Sequence, residues 1–135
     1  MISVSDISVT DMARMPPSSL LSNRQRKLIP LTPAVFFILL ALADGEKHGY
    51  AIMQEVEVLS DQQVHMGPGT LYTTIQRLLD LALIMETTNP KTEDSRRRYY
   101  QLTGAGKALL ETEIGRMSSV LRLARQKNLN PLEER

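Results

Sequence analysis

The sequence predicts a mainly α fold with one small β-hairpin and a long C-terminal helix, and three observations carry that prediction. Apolar residues repeat with the 3.6-residue period of an amphipathic helix over 50–59 and 70–81, and at spacings of 4, 3, 4, 3 over 110–124. Between the last two segments, a β-branched apolar run and an Arg-Tyr run flank a stretch of turn residues. Aromatic residues make up only 4% of a chain that is 42% apolar, so aliphatic helix packing dominates the expected core.

Residues 1–31 hold scattered apolar residues, Pro16-Pro17 and the basic cluster Arg24, Arg26 and Lys27. That composition builds no core of its own, so an arm, partly disordered, is expected there. The first helix begins at Thr32-Pro33, a hydroxyl N-cap followed by proline at a position whose N–H has no helical partner. It runs through the apolar stretch Pro33–Ala43 and stops at Asp44-Gly45, glycine being suited to the left-handed residue after a helix. After a turn at Glu46–Gly49, residues Tyr50–Leu59 place Ile52, Val56 and Leu59 on one face of a second helix. Gly67-Pro68-Gly69-Thr70 opens a third helix to about Leu81, with Leu71, Ile75, Leu78 and Leu79 inward. At 100° per residue, Thr70, Thr73, Gln76, Arg77 and Asp80 face the other way, and Tyr72 lies on the border.

The hairpin is expected from Leu83–Thr88 and Arg96–Leu102, joined by the turn-rich Asn89–Ser95. In its second strand Arg98, Tyr100 and Leu102 alternate with Arg97, Tyr99 and Gln101. Alternation puts one tyrosine in the core and the other outward; Leu102 favours Tyr100 inside. Thr103 caps a final helix to about Lys127, roughly 36 Å long, whose stripe is Leu110, Ile114, Met117, Leu121 and Ala124. A short tail, 128–135, follows. That stripe projects beyond what a domain of about 70 residues covers, so it requires another surface. Either a second copy of the chain supplies it or the helix folds back on its own domain.

Composition excludes several classes. With 16 Lys+Arg against 15 Asp+Glu, bulk charge supplies almost no attraction to a polyanion, and any basic site must be local. The balance is +2 over 1–30, −4 over 31–66, +1 over 67–102 and +2 over 103–135. With no cysteine there is neither a disulfide framework nor a thiolate metal site, and a reducing, cytoplasmic setting is expected. The longest apolar run is eleven residues, where a membrane span needs about 20. The first residues lack the basic start and apolar middle of a secretory signal, so no targeting segment and no membrane partner are expected. His48 and His65 have no neighbouring ligand set, and a capping or surface role is the expectation for each. Gly67–Thr70 lacks the Gly-Lys-Ser/Thr ending of a phosphate loop, and no nucleophile elbow or His-bearing acid/base pair is present. No metal, cofactor or catalytic residue is therefore expected, and the chain reads as a non-enzyme.

Helix, helix, helix and hairpin in that order, over 32–102, is the plan of a winged helix-turn-helix domain, whose third helix fits the DNA major groove. At His48–Tyr50 (HGY), Gly69–Leu78 (GTLYTTIQRL) and Arg96–Thr103 (RRRYYQLT), the sequence strongly resembles the PadR family of bacterial transcriptional regulators. The resemblance covers Leu31 to about Lys127. It implies a homodimeric repressor whose third helix enters the major groove, whose wing lies over phosphates or a minor groove, and whose C-terminal helix, 103–127, builds the dimer. The single short C-terminal helix looks like the compact subclass. Two positions depart from the family pattern: Thr73 stands where proline is frequent, and Ala82 where glycine precedes the first wing strand. In the family a small-molecule effector can occupy the dimer seam; Met117 sits on that seam, although methionine filling core gaps is the plainer reading of this residue type.

The residues themselves also point to DNA. Thr70, Thr73 and Gln76 can donate to and accept from base edges, Arg77 can reach guanine or phosphate, and the helix start at Gly69-Thr70 offers free N–H groups to a phosphate. Tyr72, at the border, suits a phosphate contact. On the wing, consecutive Arg96, Arg97 and Arg98 put at least one cation on each strand face, with Lys91 in the turn and Tyr99 as further contacts. Arg24, Arg26 and Lys27 are candidates to follow DNA into a minor groove, a nonbinding arm being the alternative. The reading is a sequence-specific regulator on a pseudo-palindromic operator with half-sites about 10 bp apart. The alternative, motivated by the near-zero net charge and the acidic second helix, is a winged-helix protein-interaction module.

Overall fold

The computed structural model describes residues 15–88 and 97–130. Lys91, Arg96 and the expected hairpin turn lie outside the described residues.

Over 15–31 the chain is packed on the domain, where composition alone predicts an arm. A 3-10 turn, Pro17–Leu20, leads into α1, Asn23–Arg26. Ser22 and Gln25 form a reciprocal cap: Ser22 Oγ accepts from Gln25 N at 3.2 Å, and Gln25 Oε1 accepts from Ser22 N at 2.9 Å. Leu21 is buried in the core, and buried Gln25 donates from Nε2 to the Leu81 carbonyl at 2.8 Å. The difference has a physical reason. Four residues cannot hold a helix alone, but this turn borrows a surface and a carbonyl from a segment far along the chain.

The helix α2, Pro33–Ala41, starts as expected, with Thr32 Oγ1 accepting from Val35 N at 3.3 Å. Ile38, Leu39 and Ala41 are fully buried, and Leu42 caps the end three residues before the glycine. The segment read as a turn contains β1, Lys47–His48, which pairs antiparallel with β3, Tyr99–Leu102. With β2, Ile84–Thr87, the described residues form a three-stranded sheet in the order β1-β3-β2, so the wing is more than a hairpin. A two-residue strand has no periodicity to detect.

The second predicted helix is α3, Gly49–Leu59, with Ile52 and Val56 buried as expected; Leu59 is 40% exposed and leaves the core face. The third is α4, Pro68–Asp80, with Leu71, Ile75 and Leu78 buried and Leu79 half-buried. Between α4 and β2, Ala82 has a φ of 56°, a left-handed conformation that costs a non-glycine residue roughly 1 kcal/mol. A glycine at this position would relieve that strain.

The last helix, α5, spans Gly104–Gln126, and Thr103 Oγ1 accepts from Gly106 N at 3.0 Å while donating to the Ala82 carbonyl. Its first turns belong to the domain: Ala108, Leu109 and Leu110 are buried. Leu110 is thus a core residue within its own chain, a correction to its expected place on a seam. Glu113 follows, fully buried, accepting from Leu31 N at 2.6 Å and from Arg116 Nε at 2.5 Å. These bonds, Arg116 foremost, hold its carboxyl below the ordinary glutamate range. A depressed folded value stabilises above the unfolded pKa of about 4.3, and that stabilisation disappears as pH falls through the folded value. Glu113→Gln is accordingly expected to melt lower than the wild type at pH 7, with the two melting temperatures converging as the pH falls below the ordinary glutamate pKa of about 4.3. A constant gap across the titration would remove the charge from the explanation.

Candidate nucleic-acid interface

The exposed side of α4 is the face expected from the sequence. Gly69, Thr70, Thr73, Gln76, Arg77 and Asp80 are all exposed, because the 3.6-residue period turns Leu71, Ile75 and Leu78 into the core. Pro68 at the first position and the side-chain-free Gly67 cap leave the early N–H groups of the helix open to solvent. Gln76 Nε2 donates to Asp80 Oδ1 at 3.0 Å, which holds its amide along the helix surface.

Tyr72 is half-exposed and stands over the start of α3. A Cβ added at Gly49 would lie 2.5 Å from its hydroxyl oxygen, so a larger residue at 49 requires the half-exposed Tyr72 ring to shift. His48 caps α3, its Nδ1 accepting from Ala51 N at 3.2 Å. Its ring meets Tyr99 edge-on at 5.5 Å, and Arg97 Nη1 lies 3.1 Å from Nε2. Burial, and secondarily Arg97, push the imidazole below its ordinary value, so it stays neutral and available as a cap. The capping role expected for this histidine is the one observed.

On the wing, Arg97 and Arg98 are exposed. Arg98 Nε lies 3.7 Å from Glu86 Oε1 on the neighbouring strand, an exposed pair that constrains the arginine weakly. Tyr100 is in the core as expected, but Tyr99 is only 7% exposed and does not face outward. As the central strand, β3 has both faces covered: the core lies beneath Tyr100, and His48 of β1 lies against Tyr99. Burial raises the Tyr100 hydroxyl above its ordinary value, so it remains protonated. His48, Tyr50, Tyr72, Arg97 and Arg98 surround a cavity of about 320 Å³ between the foot of the wing and α4.

The three cations of the N-terminal segment divide. Arg26 donates from Nε and Nη2 to the Ser18 carbonyl, at 3.2 and 2.7 Å, and braces its own turn. Arg24 and Lys27 instead border a groove shared with Arg77 of α4. On α5, Ile114, Met117 and Leu121 are exposed by 40% or more, Ala124 is half-buried, and Val120, absent from the sequence stripe, joins the same side. Two residues that the sequence did not single out are Gln25 and Glu113, polar groups whose partners lie 56 and 82 positions away. Only the capping pair Ser22–Gln25 had a local signal, the Ser-x-x-Gln spacing. Among the described residues no group of His, Cys, Asp and Glu could hold a metal ion, and no helix is long and apolar enough to cross a membrane.

Comparison with known proteins agrees with this geometry. A 37.1 kDa protein encoded in transposon TN4556 of Streptomyces fradiae is 41% identical over 85 residues, which cover 63% of this chain and 23% of that protein. The chain therefore spans about a quarter of that relative's length. The crystal structure of a PadR family transcription regulator from Clostridium difficile superposes with a TM-score of 0.59 at 25% identity, covering 70% of this chain and 97% of that one. Bacillus subtilis PadR, solved in complex with operator DNA, superposes with a TM-score of 0.55 at 25% identity, covering 63% of this chain and 47% of that one. The family model for PadR-like transcriptional regulators matches residues 38–112, from the middle of α2 into α5. With the three-helix, three-strand order and the long α5 in place, the chain belongs to the PadR-like family of transcriptional regulators.

Proposed function

We propose that the protein is a sequence-specific DNA-binding repressor that acts as a homodimer on a pseudo-palindromic operator and is released by a small-molecule effector. The observation that carries the reading is the outward face of α4, where Thr70, Thr73, Gln76 and Arg77 stand exposed beside a wing bearing Arg97 and Arg98. Short hydroxyls, an amide and a guanidinium are the groups that read base edges, and the wing cations suit phosphates. The operator complex of the Bacillus subtilis relative supports the same partner for this chain. Tyr72 and the open N–H groups near Gly69 add phosphate contacts; Tyr99, buried against His48, acts by supporting the wing. Ile114, Met117, Val120, Leu121 and Ala124 form the dimer seam. The effector would seat near the foot of α5, where Leu42, Leu102, Lys107, Leu110 and Ile114 line a cavity of about 510 Å³.

The test is a salt titration of binding to the DNA upstream of the protein's own gene, with a random duplex as control. The expected result is salt-sensitive binding with at least about 1,000-fold preference for the upstream DNA. Arg77→Ala is expected to lose about 1–3 kcal/mol on the specific site and little on random DNA, since a base contact carries discrimination. Equal loss on both duplexes would make Arg77 a phosphate contact. Absence of preference at every salt concentration would shift the reading to a protein-interaction module.

A further inference from the structure

The N-terminal segment upstream of the matched family region ends in a docked turn whose two outward cations meet the recognition helix. We propose that Arg24 and Lys27 bind DNA phosphates in a groove beside Arg77 that extends the DNA interface beyond α4 and the wing, an inference that rests on the DNA-binding reading above.

Four observations support it. The turn is fixed: Gln25 is tied to the carbonyl of Leu81, the C-cap of α4, and Leu21 is buried beneath it. This docking sets Arg24 and Lys27, both exposed, on the walls of a groove of about 440 Å³ together with Arg77, Asp80 and the backbone turn at Leu28 and Leu81. Charge favours an anion, since three cations face one carboxylate, and Asp80 already accepts from the Gln76 amide. The surface is also continuous with the reading face, because Arg77 and Asp80 border both this groove and the shallow concavity of Tyr72, Thr73 and Gln76. A polyanion laid along α4 therefore meets the groove as its next contact, and the repeating phosphates of a DNA backbone are the ligand with that continuity. Pre-fixing the cations on a docked turn removes part of the ordering cost a flexible arm would incur.

The double variant Arg24→Gln/Lys27→Gln tests this, read as the slope of log affinity against log salt on the upstream and random duplexes. Each lost phosphate contact reduces the slope by about 0.9, so loss of two is expected to flatten it by roughly 1.8. That corresponds to about 30-fold weaker binding near 0.15 M salt, the same on both duplexes. Arg26→Gln serves as the control: its guanidinium is engaged by the Ser18 carbonyl, and an unchanged slope is expected. An unchanged slope in the double variant, with wild-type binding intact, overturns the groove and leaves the DNA-binding reading standing. An equal loss in Arg26→Gln overturns the assignment to these two residues. Failure of the wild type to bind either duplex overturns both readings.

Discussion

Gly106→Ala is expected to be the most destabilising of the glycine-to-alanine changes. A Cβ at this position would sit 1.9 Å from the carbonyl oxygen of Leu83 and 3.0 Å from its carbon, contacts no rotamer change can relieve because both atoms are backbone. That carbonyl also accepts from Thr103 N at 3.1 Å, the bond that joins the end of β3 to the start of the wing's first strand. Relief requires α5 to move away from the sheet, which opens the contacts of Ala108, Leu109 and Leu110 with the core. Overpacking of this kind costs about 3 kcal/mol or more, lowering the melting temperature by roughly 10 °C. Thermal denaturation followed by circular dichroism checks it, with Gly115→Ala as a control on the same helix, where an added Cβ meets open space. A melting temperature for Gly106→Ala within about 2 °C of the wild type would mean that α5 can shift freely, against its packing as a core helix.

Leu121→Glu is expected to abolish the proposed dimer while leaving the protomer folded. Past Glu113 the helix carries Ile114, Met117, Val120 and Leu121 exposed, on an arc of about 120° when successive residues are placed 100° apart. Such a continuous apolar strip is unfavourable in water and favours pairing with its own copy through a two-fold contact. A glutamate in that seam is brought in twice by symmetry, desolvated and facing its own charge. Sedimentation or light scattering is expected to give a monomer, with an unchanged helical spectrum, since Leu121 is 40% exposed in its own chain. Binding to a two-half-site operator should fall by at least about 100-fold, because the second half-site no longer adds its avidity. A dimer that persists would place the interface elsewhere. A monomeric wild type would assign the stripe another cover.

The elements with local signals were legible. Thr32 and Thr103 each cap the helix their sequence context announced, Pro68 opens α4, and the apolar period of α4 places Thr70, Thr73, Gln76 and Arg77 outward. Legibility ended where a residue's environment depends on distant chain. Tyr99 and Tyr100 alternate correctly, yet both are buried, because alternation assigns a side chain to a face and says nothing of whether that face is covered. His48 of β1 supplies the cover, and a two-residue strand leaves no pattern by which to find it. Leu110 illustrates the same limit on a helix: its heptad spacing continues into Ile114, but the domain edge falls between them, leaving the first buried and the second exposed.

The sequence by itself determined the order of elements, their caps and the polar face of the third predicted helix, since these follow from backbone sterics and short-range periodicity. It also carried the family resemblance in HGY, GTLYTTIQRL and RRRYYQLT. Tertiary structure alone decided that 17–31 is docked, that Gln25 and Glu113 are buried, that the ring of Tyr72 stands over Gly49, and that Arg24 and Lys27 meet Arg77 while Arg26 does not. Each of those outcomes depends on a partner brought close by folding. A buried amide or carboxylate is stable only where distant backbone groups complete its hydrogen bonds, and a cation cluster exists only once the segments that carry it are packed together.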